Sequence, residues 1–277
     1  MREGFPKTIP YLYLCSKSCY LEEYAAVILG WCMRDNVKVF VKAFSETFQV
    51  REPIYEFGSL QIGPVGYADL RPYFHRLKYV GCDMREGPGV DRIENLEHLS
   101  IQDKSVGTVI CMDTIEHVFP LFKAFEEMYR ILADVGALLV SSHMDFWIHS
   151  HPDDYWRFTP EAFEGLLQPL PLKAVGFQGL PSFPHTVWGI GFKIYHAEIE
   201  RQCYAFCDRV DKDLMALDKK THLSRSLNDK FKVTRKRFTC KVFGPKSEYN
   251  KIVNEYNTQW KVIGPGGEKQ GLGWSRP

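Results

Sequence analysis

Four short apolar segments limit the folds that this chain can adopt. They lie 20 to 30 residues apart and are rich in β-branched residues: PIYEF (53–57), LKYVGCD (77–83), VGTVICMD (106–113) and GALLVSSH (136–143). Short uninterrupted apolar runs are typical of strands that are buried on both faces of a parallel sheet. Because parallel strands need crossover connections, helices should alternate with these segments.

The segment between the last two predicted strands supplies one such helix. In FPLFKAFEEMYRIL (119–132), apolar residues recur every three or four positions and share one helix face. This alternation predicts right-handed crossovers and a Rossmann-like, doubly wound α/β sheet with helices on both faces. Ligands of such sheets bind beyond the carboxyl ends of the strands, so we expect the functional residues there.

The chain divides into three predicted regions. Residues 16–33 and about 38–50 are predicted helices of an N-terminal helical cap that occupies 1–50. The main domain is predicted over 51–244, and the glycine-rich tail over 245–277 is expected to be irregular.

Several elements are predicted late in the main domain. LKAVGFQGL (172–180) and RFTCKVF (237–243) are predicted strands, and 197–220 is a predicted helix within a basic, helical insertion at about 195–235. Thr159, followed by Pro160 and an acid, is a predicted helix start.

The formal charge of the chain is +1 at pH 7, so no general attraction to nucleic acid or membrane is expected. One segment, 219–241, is an exception, with nine Lys or Arg residues against the single acid Asp229. Such a segment can hold a phosphate-bearing acceptor such as a nucleotide sugar or RNA, although most basic segments are solvated surface.

The N-terminus and the apolar runs predict a soluble, cytoplasmic protein. The first residues lack the pattern of a signal peptide. The longest apolar run, YAAVILGWCM (24–33), is about half of the ~20 residues that a membrane span needs. We therefore expect no membrane span.

The eight cysteines contain no Cys-x-x-Cys pair. Cys15 and Cys19, like Cys203 and Cys207, are four residues apart on predicted helices. This spacing favours buried, reduced thiols over metal ligands, and we predict no metal site.

Polar residues follow the predicted strands at the edge where a ligand is expected. Gly58 follows the first strand and Asp83 ends the second, 25 residues later. Glycine lets the backbone turn tightly beside a ligand, and an acid at this separation suits a ribose diol. The pair therefore predicts nucleoside binding.

EGPGVDRIENLEHLS (86–100) is predicted to carry the chain through a short third strand to Asn95 and Leu96, which makes VGTVICMD the fourth strand and GALLVSSH the fifth. An amide such as that of Asn95, beside the backbone of Leu96, can read an adenine edge. The fourth strand runs into MDTIEHV, which places Asp113, Thr114 and His117 at the same edge.

Together, these segments resemble the class I S-adenosylmethionine-dependent methyltransferases. The resemblance runs in order over about 53–167, through YEFGSLQ, YVGCDMREGPGVD, TVICMDTIEHV, FKAFEEMYRILADVGALLVSSH and IHSHPDDYWRFTPEAFEGLL. More narrowly, the segments resemble type 11-like methyltransferases, in a branch typified by bacterial enzymes encoded near glycan and cell-surface biosynthesis genes. The resemblance implies S-adenosyl-L-methionine as cofactor and a seven-stranded sheet of order 3-2-1-4-5-7-6. The last strand of such a sheet is antiparallel, a role that RFTCKVF (237–243) suits.

The resemblance also implies cofactor-binding positions. They are Glu56, Gly58 and Ser59 around the methionine moiety with Leu60 beside them, Asp83 on the ribose, Met84 against the adenine, Asn95 and Leu96 at the adenine edge, and Asp113, Thr114 and His117 lining the pocket.

The sequence departs from the family pattern at three places. Leu60 replaces the usual second glycine, Asn95 replaces the usual adenine-reading acid, and LADVGALL replaces the common LKPGG turn. A nicotinamide dinucleotide is the rival cofactor, but its pyrophosphate favours the full Gly-x-Gly-x-x-Gly pattern at a helix start. GSLQIGPVG lacks that spacing and contains Pro64, which argues against a dehydrogenase.

The segment HMDFWIHSHPDDYWRF (143–158) is the predicted acceptor site, because it follows the fifth element of the sheet and mixes polar with aromatic side chains. Histidine suits proton removal near neutral pH, and large aromatic rings can exclude water. The candidate catalytic residues are His149, His151 and Asp154, with His149 first, and the candidate acceptor-binding residues are His143, Trp147, Tyr155 and Arg157. The alternative is that Asp154 and Arg157 pair only to hold the loop.

The sequence therefore predicts an S-adenosylmethionine-dependent methyltransferase that acts on an oxygen of a small or glycan-linked acceptor. Two alternatives stay open. The narrowed loop at Leu60 suggests a cofactor-binding scaffold without catalysis, and the basic segment suggests an RNA methyltransferase, although nucleic acid is not the favoured partner. The sequence leaves the oligomeric state open.

Overall fold

A computed structural model describes residues 35–61, 66–146, 148–149, 153–180, 183–224, 258–265 and 267–268. These residues form an α/β fold around one nine-stranded sheet. The strands are β1 (Ile54–Phe57), β2 (Tyr79–Asp83), β3 (Arg92–Ile93), β4 (Val106–Met112), β5 (Leu132–His143), β6 (Leu172–Leu180), β7 (Phe183–Phe192), β8 (Thr258–Gly264) and β9 (Gly267–Glu268). The α-helices are α1 (Asp35–Thr47), α2 (Leu121–Ile131), α3 (Pro160–Leu166) and α4 (Ala197–Ser224), and short 3-10 helices cover Arg71–Phe74 and Ile115–His117.

The strand order is β3-β2-β1-β4-β5-β7-β6-β8-β9. The first five strands are parallel, so their carboxyl ends meet at one edge of the sheet. The chain reverses its direction of travel across the sheet between β1 and β4, which is where doubly wound sheets open a ligand crevice. The predicted doubly wound fold and the order 3-2-1-4-5-7-6 are confirmed.

Two predictions about the last strands were wrong. The antiparallel strand between β5 and β6 is β7 (183–192), not RFTCKVF, and 237–243 lies outside the described residues. Within the tail that was expected to be irregular, β8 pairs with β6 and extends the sheet beyond seven strands. Side chains of β8 alternate between the core and partial exposure, which is the pattern of a strand covered on one face.

One face of the sheet is covered by α1 and α4. Phe40 of α1 is fully buried and stacks on Trp188 of β7 and Trp260 of β8, with ring centroids 5.6 and 6.3 Å apart. Cys203 and Cys207 of α4 lie in the same core. Both are buried, reduced thiols, as predicted. Helix α1 therefore shares one core with the sheet, while residues 16–33 and Cys15 and Cys19 lie outside the described residues.

The opposite face is covered by α2 and α3. Most of the predicted apolar stripe of α2 is buried, with Leu121, Phe125 and Met128 in the core beneath the sheet, but Phe122 of the same stripe is 74% exposed. Helix α3 begins as predicted, because the Thr159 hydroxyl accepts a hydrogen bond from the backbone N–H of Ala162 at 3.2 Å. This start fixes the point at which the loop after β5 rejoins the fold.

Among the described helices, none combines the length and the apolar character that a membrane crossing requires. Helix α4 confirms the predicted helix at 197–220, and the basic segment beyond Ser224 lies outside the described residues. The division into cap, main domain and tail stays a prediction.

Candidate functional site

Gly58 fixes the turn that follows β1. Its φ is +80°, and the backbone N–H groups of Gly58 and Ser59 both donate to the carbonyl oxygen of Cys82, at 2.9 and 3.0 Å. A Cβ at position 58 would lie 2.0 Å from Thr114 Oγ1. Glycine is therefore required both by the backbone conformation and by the close approach of the β1 loop to the end of β4.

Glu56 is a buried acid just before this turn. It is 4% exposed, and the Tyr79 hydroxyl donates to its Oε2 at 2.8 Å. Burial raises the pKa of Glu56 to about 7, because the charged form loses hydration, while the hydrogen bond from Tyr79 and the charge of Arg71 oppose the shift. A cationic group beside Glu56 would draw its proton off at neutral pH.

The loop after β1 packs against the loop after β2. The Gln61 N–H donates to the carbonyl oxygen of Pro88 at 2.9 Å, and a Cβ at Gly87 would lie 2.4 Å from Leu60 Cδ1. The Leu60 side chain thus fills space against Gly87. Ser59 Oγ is buried and has no hydrogen-bond partner within the described part of the chain.

The end of β2 presents a carboxylate with one oxygen engaged. Asp83 Oδ1 accepts the backbone N–H of Arg85 at 3.0 Å and lies 3.7 Å from Arg85 Nε. Its side chain is 11% exposed. The neighbouring Met84 is 53% exposed, so its thioether is accessible to a planar ligand.

Asn95 and Leu96 follow the two-residue strand β3. Asn95 Oδ1 accepts the backbone N–H of Glu97 at 2.9 Å, which closes a local turn, and Leu96 is buried. The amide of Asn95 therefore offers its hydrogens, rather than its oxygen, to a ligand.

Asp113 and Thr114 stand where β4 ends. Asp113 has a φ of +45°, and Ser141 Oγ donates to its Oδ1 at 2.8 Å. Thr114 Oγ1 donates to the carbonyl oxygen of Met112 at 2.8 Å. Backbone in this left-handed region is costly for a residue with a side chain and is concentrated at functional sites.

Glu116 and His143 form a buried pair next to Asp113. Glu116 is fully buried, His143 is 3% exposed, and Glu116 Oε1 lies 3.2 Å from His143 Nε2. The Ser142 hydroxyl donates to Glu116 Oε2 at 2.9 Å. The carbonyl of Glu116 accepts the N–H of Tyr155 at 2.8 Å, so this pair sits directly beneath the loop that follows β5.

In that loop, Asp154 links His149 to Arg157. Arg157 donates from Nη1 to Oδ1 at 2.5 Å and from Nη2 to Oδ2 at 2.6 Å. His149 donates its backbone N–H to Oδ2 at 2.8 Å, and its Nδ1 lies 3.1 Å from the same oxygen. Burial of the carboxylate raises the pKa of Asp154, but the bonds from Arg157 and His149 outweigh burial and hold that pKa well below its usual range.

Two of the predicted site residues bond to each other. Both Asp154 oxygens are bonded and its side chain is 2% exposed. Arg157 is bonded to Asp154 and also donates to the carbonyl oxygen of Phe146 at 3.2 Å. These contacts are those expected of a pair that holds the loop, while the predicted catalytic role of Asp154 and the predicted acceptor-binding role of Arg157 stay predictions.

His117 contacts the loop that follows β5, and its predicted place in the cofactor pocket stays a prediction. Its ring is 4.8 Å from that of His149, and its Nδ1 contacts the carbonyl oxygen of Asp153. Burial lowers the pKa of His117, because the charged ring loses hydration. Tyr155 is 45% exposed and its ring lies 5.2 Å from that of Phe119, while Trp147 and His151 lie outside the described residues.

These residues fit the cofactor that the family resemblance implies. S-adenosylmethionine is cationic at its sulfonium and amino groups and carries no phosphate. Glu56, Asp83 and Asp113 bring three acids to the ends of β1, β2 and β4, and the loop 58–61 contains no Lys or Arg. The buried Ser59 hydroxyl, which has no hydrogen-bond partner among the described residues, is a polar group in this loop that a ligand could engage.

The sequence did not predict a hydrogen-bond partner for Glu56 or for Glu116. Tyr79 and Ser142 donate to these acids, and neither was predicted. One signal was available: the apolar strand β5 ends in Ser-Ser-His, and polar side chains that end a buried strand need partners at the sheet edge.

Part of the chain matches a known protein family. Residues 74–140, which run from before β2 into β5, match a family model described as a methyltransferase domain. No curated protein matches the chain.

Many solved structures resemble this chain, among them the following two. One is from Thermotoga maritima and is described as a SAM-dependent methyltransferase and possible histamine N-methyltransferase; it is 16% identical, covers 64% of this chain and 97% of its own, and has a TM-score of 0.42. The other, a SAM-dependent methyltransferase from Archaeoglobus fulgidus, is 14% identical, covers 64% of this chain and 100% of its own, and has a TM-score of 0.44. Neither likeness bears on the acceptor of this chain.

Proposed function

Because the chain carries a class I S-adenosylmethionine-dependent methyltransferase domain, we propose that it methylates an oxygen atom of a small or glycan-linked acceptor. The observation that carries the proposal is the pairing of His149 with Asp154 in the loop beyond β5. S-adenosylmethionine, when bound, supplies a methyl group that is already activated by its sulfonium. The protein then has to bind and orient the acceptor and accept the proton of its hydroxyl.

The cofactor would be held by the ends of β1, β2 and β4. Glu56 would bind the cationic amino group, and the Ser59 hydroxyl would contribute a hydrogen bond to the same part of the cofactor. Asp83 would bind the ribose diol through Oδ2, because only its Oδ1 is bonded within the described residues. Asp113 and Thr114 would line the floor between β1 and β4.

His149 would act as the general base. With Asp154 Oδ2 3.1 Å from Nδ1, the carboxylate favours the tautomer that carries its proton on Nδ1, so Nε2 holds the lone pair that can accept a proton. The bonds from Arg157 keep Asp154 charged and in place. A carboxylate, a histidine and a hydroxyl acceptor in this order form a general-base arrangement.

Two exposed aromatic rings support a sugar-like acceptor. Phe119 is 66% exposed and Tyr155 is 45% exposed, and they meet edge to face beside the loop that carries His149. Aromatic faces bind the apolar face of a sugar ring, while the hydroxyl groups of the sugar reach polar neighbours such as the Tyr155 hydroxyl.

The test combines calorimetry with S-adenosylhomocysteine and transfer of a labelled methyl group from S-adenosylmethionine to a panel of sugars, nucleotide sugars, small alcohols and RNA. We expect the His149→Ala variant to bind S-adenosylhomocysteine as tightly as wild type does. Its kcat for methyl transfer should be lower by about 10²- to 10⁴-fold. His75→Ala is the matched control, because His75 is an exposed histidine that precedes β2 at the opposite edge of the sheet. Equal turnover in wild type and His149→Ala would remove the base assignment.

Two other functions are outcomes of the same test. Binding of the cofactor with no turnover on any acceptor would favour the scaffold without catalysis, for which the contact of Leu60 with Gly87 is the relevant feature. Methylation of RNA, with an affinity that falls steeply as salt is raised, would favour the RNA methyltransferase. The basic segment on which that alternative depends lies largely outside the described residues.

A further inference from the structure

Three side chains from separate parts of the chain converge beneath the loop that follows β5. Glu116 lies on the 3-10 helix after β4, His143 ends β5, and His149 lies six residues further on. One oxygen or nitrogen ligand atom from each of them lies within 4.8 Å of the other two. We propose that these three residues bind a divalent transition-metal ion of the Zn²⁺ class, with an open coordination position on the acceptor side.

The chemistry of the three ligands selects the class of ion. Two imidazole nitrogens and one carboxylate oxygen suit Zn²⁺ and neighbouring ions such as Fe²⁺, Co²⁺ and Ni²⁺, whereas Mg²⁺ and Ca²⁺ prefer sites made of oxygen atoms. Metal sites with three protein ligands leave room for a water molecule or a substrate, unlike closed structural sites with four. Two histidines and a glutamate are one of the ligand sets that catalytic zinc uses.

The spacing of the ligand atoms is compatible with coordination. Glu116 Oε1 and His143 Nε2 are 3.2 Å apart. Two ligands bound at about 2.1 Å are about 3.0 Å apart at a right angle and about 3.4 Å apart at the tetrahedral angle. This pair therefore already has the separation of neighbouring ligands. The ligand atom of His149, which lies in a loop within 4.8 Å of the other two, would need to approach by at most about 1.4 to 1.8 Å for the same separation.

Hydrogen bonds already orient two of the three ligands. Ser142 donates to Glu116 Oε2, which leaves Oε1 directed at His143. Asp154 lies against His149 Nδ1, so Nε2 is the nitrogen that would coordinate the ion. Carboxylates that orient a histidine in this way are the usual support of metal-binding imidazoles.

Burial adds a reason for a cation at this point. Glu116 is fully buried and His143 is 3% exposed, and a buried carboxylate is costly unless it is paired or bound to a metal. The 3.2 Å contact between Glu116 and His143 involves these two residues alone. An ion accounts for the convergence of all three.

A bound ion would also change how the acceptor hydroxyl is activated. This consequence rests on the proposed function. An acceptor hydroxyl in the open position would become more acidic, because a bound cation stabilises the oxyanion. His149 would then be a ligand rather than the base. Binding of the ion itself does not depend on methyl transfer.

The cysteine spacings, on which the prediction of no metal site was based, carry no information about these three residues. Glu116 and His143 are 27 residues apart and meet through the pairing of β4 with β5, in which Met112 lies opposite Ser141. A motif of closely spaced residues therefore cannot predict that contact.

The test measures binding of Zn²⁺ and Co²⁺ to the purified full chain after removal of metals with a chelator. We expect one ion per chain by calorimetry, and a Co²⁺ spectrum that lacks the charge-transfer band of cysteine thiolates. Glu116→Gln and His149→Ala should each weaken binding by more than about 100-fold, and Asp154→Asn by about 10- to 100-fold. His75→Ala should bind like wild type.

Circular dichroism identifies variants that fail to fold. His149→Ala is expected to fold, because the His149 side chain is partly exposed and its removal leaves no cavity in the core. Failure of wild type to bind either ion below about 0.1 mM, which corresponds to about −5.5 kcal/mol, would overturn the proposal. Binding that is equally tight in Glu116→Gln and His149→Ala would also overturn it. If S-adenosylhomocysteine binds and methyl transfer proceeds without any ion, the metal site fails and the proposed function stands; if the ion binds and no acceptor is methylated, the proposed function fails.

Discussion

Replacing Gly58 with alanine tests the close contact between the β1 loop and the end of β4. The residue has a φ of +80°, and alanine pays about 1–2 kcal/mol for that left-handed conformation. The new methyl group would also lie 2.0 Å from Thr114 Oγ1 and 2.8 Å from Thr114 Cγ2, so backbone or side chain must shift. Overpacking of this kind costs a further ~1–3 kcal/mol, and we expect a total loss of about 2–5 kcal/mol.

Gly66→Ala is the matched control. Its φ is +79°, but a Cβ there has no described atom within 4 Å, so only the conformational cost applies. By thermal denaturation, Gly58→Ala should lower Tm by several degrees more than Gly66→Ala, since 1 kcal/mol corresponds to about 2–4 °C in a chain of this size. Calorimetry should show weaker binding of S-adenosylhomocysteine in Gly58→Ala alone.

A double variant checks the cause. Adding Thr114→Ala to Gly58→Ala removes the two nearest atoms and should restore part of the lost stability. If the two glycine variants lost equal stability, or if Thr114→Ala restored none of it, the close contact between β1 and β4 would not be the reason that position 58 requires glycine.

Three further predictions concern Phe40 in the core, the buried acid Glu56 and the loop acid Asp154. Phe40→Ala should lower the free energy of unfolding by about 3–5 kcal/mol in chemical denaturation, because the ring is fully buried against Trp188 and Trp260; a loss below 1 kcal/mol would show that α1 is not part of the core. The pKa of Glu56 is raised from 4.5 to about 7 in the folded state, so between these values the folded chain keeps a proton that the unfolded chain releases, and stability should fall as pH rises through this window. Glu56→Gln should remove that component of the pH dependence, and an unchanged profile would contradict the burial of the acid. Asp154→Asn should lower kcat with little change in cofactor affinity, because it weakens the orientation of His149; a variant with wild-type kcat would argue against that role.

The strands that the sequence predicted correctly are those whose signal is local. β1, β2, β4 and β5 are apolar runs that are buried on both faces, so their composition reports their position. Because the ends of parallel strands meet at one edge, the placement of Gly58, Asp83 and Asp113 followed from the strand assignments alone.

The strands that the sequence missed carry a weaker local signal. β7 reads FPHTVWGIGF, in which one proline and two glycines are typical of a loop, and it is ordered by antiparallel partners on both sides. β8 has only Trp260 and Val262 directed into the core, and the glycines around it suggested an irregular tail. In both cases tertiary pairing outweighs propensity.

The side-chain pairs within the site could be predicted from the sequence only in part. Asp154 and Arg157 are three residues apart, so their pairing could be proposed as an alternative, whereas the contact of Glu116 with His143 depends on the register of two strands. The sequence named His143 and His149 as candidates but could not bring them together with Glu116.

Calorimetric titration of S-adenosylhomocysteine into wild type and Asp83→Ala tests the central claim most directly, that the cofactor binds at the carboxyl ends of β1, β2 and β4. The control is Asp134→Ala, because Asp134 is exposed and pairs with Lys104 away from this edge. Loss of a charge-assisted hydrogen bond to the ribose should weaken binding in Asp83→Ala by about 1.5–3 kcal/mol, or roughly 10- to 150-fold, and leave Asp134→Ala unchanged. Equal affinity of Asp83→Ala and wild type, or no binding to wild type below millimolar concentration, would contradict the account.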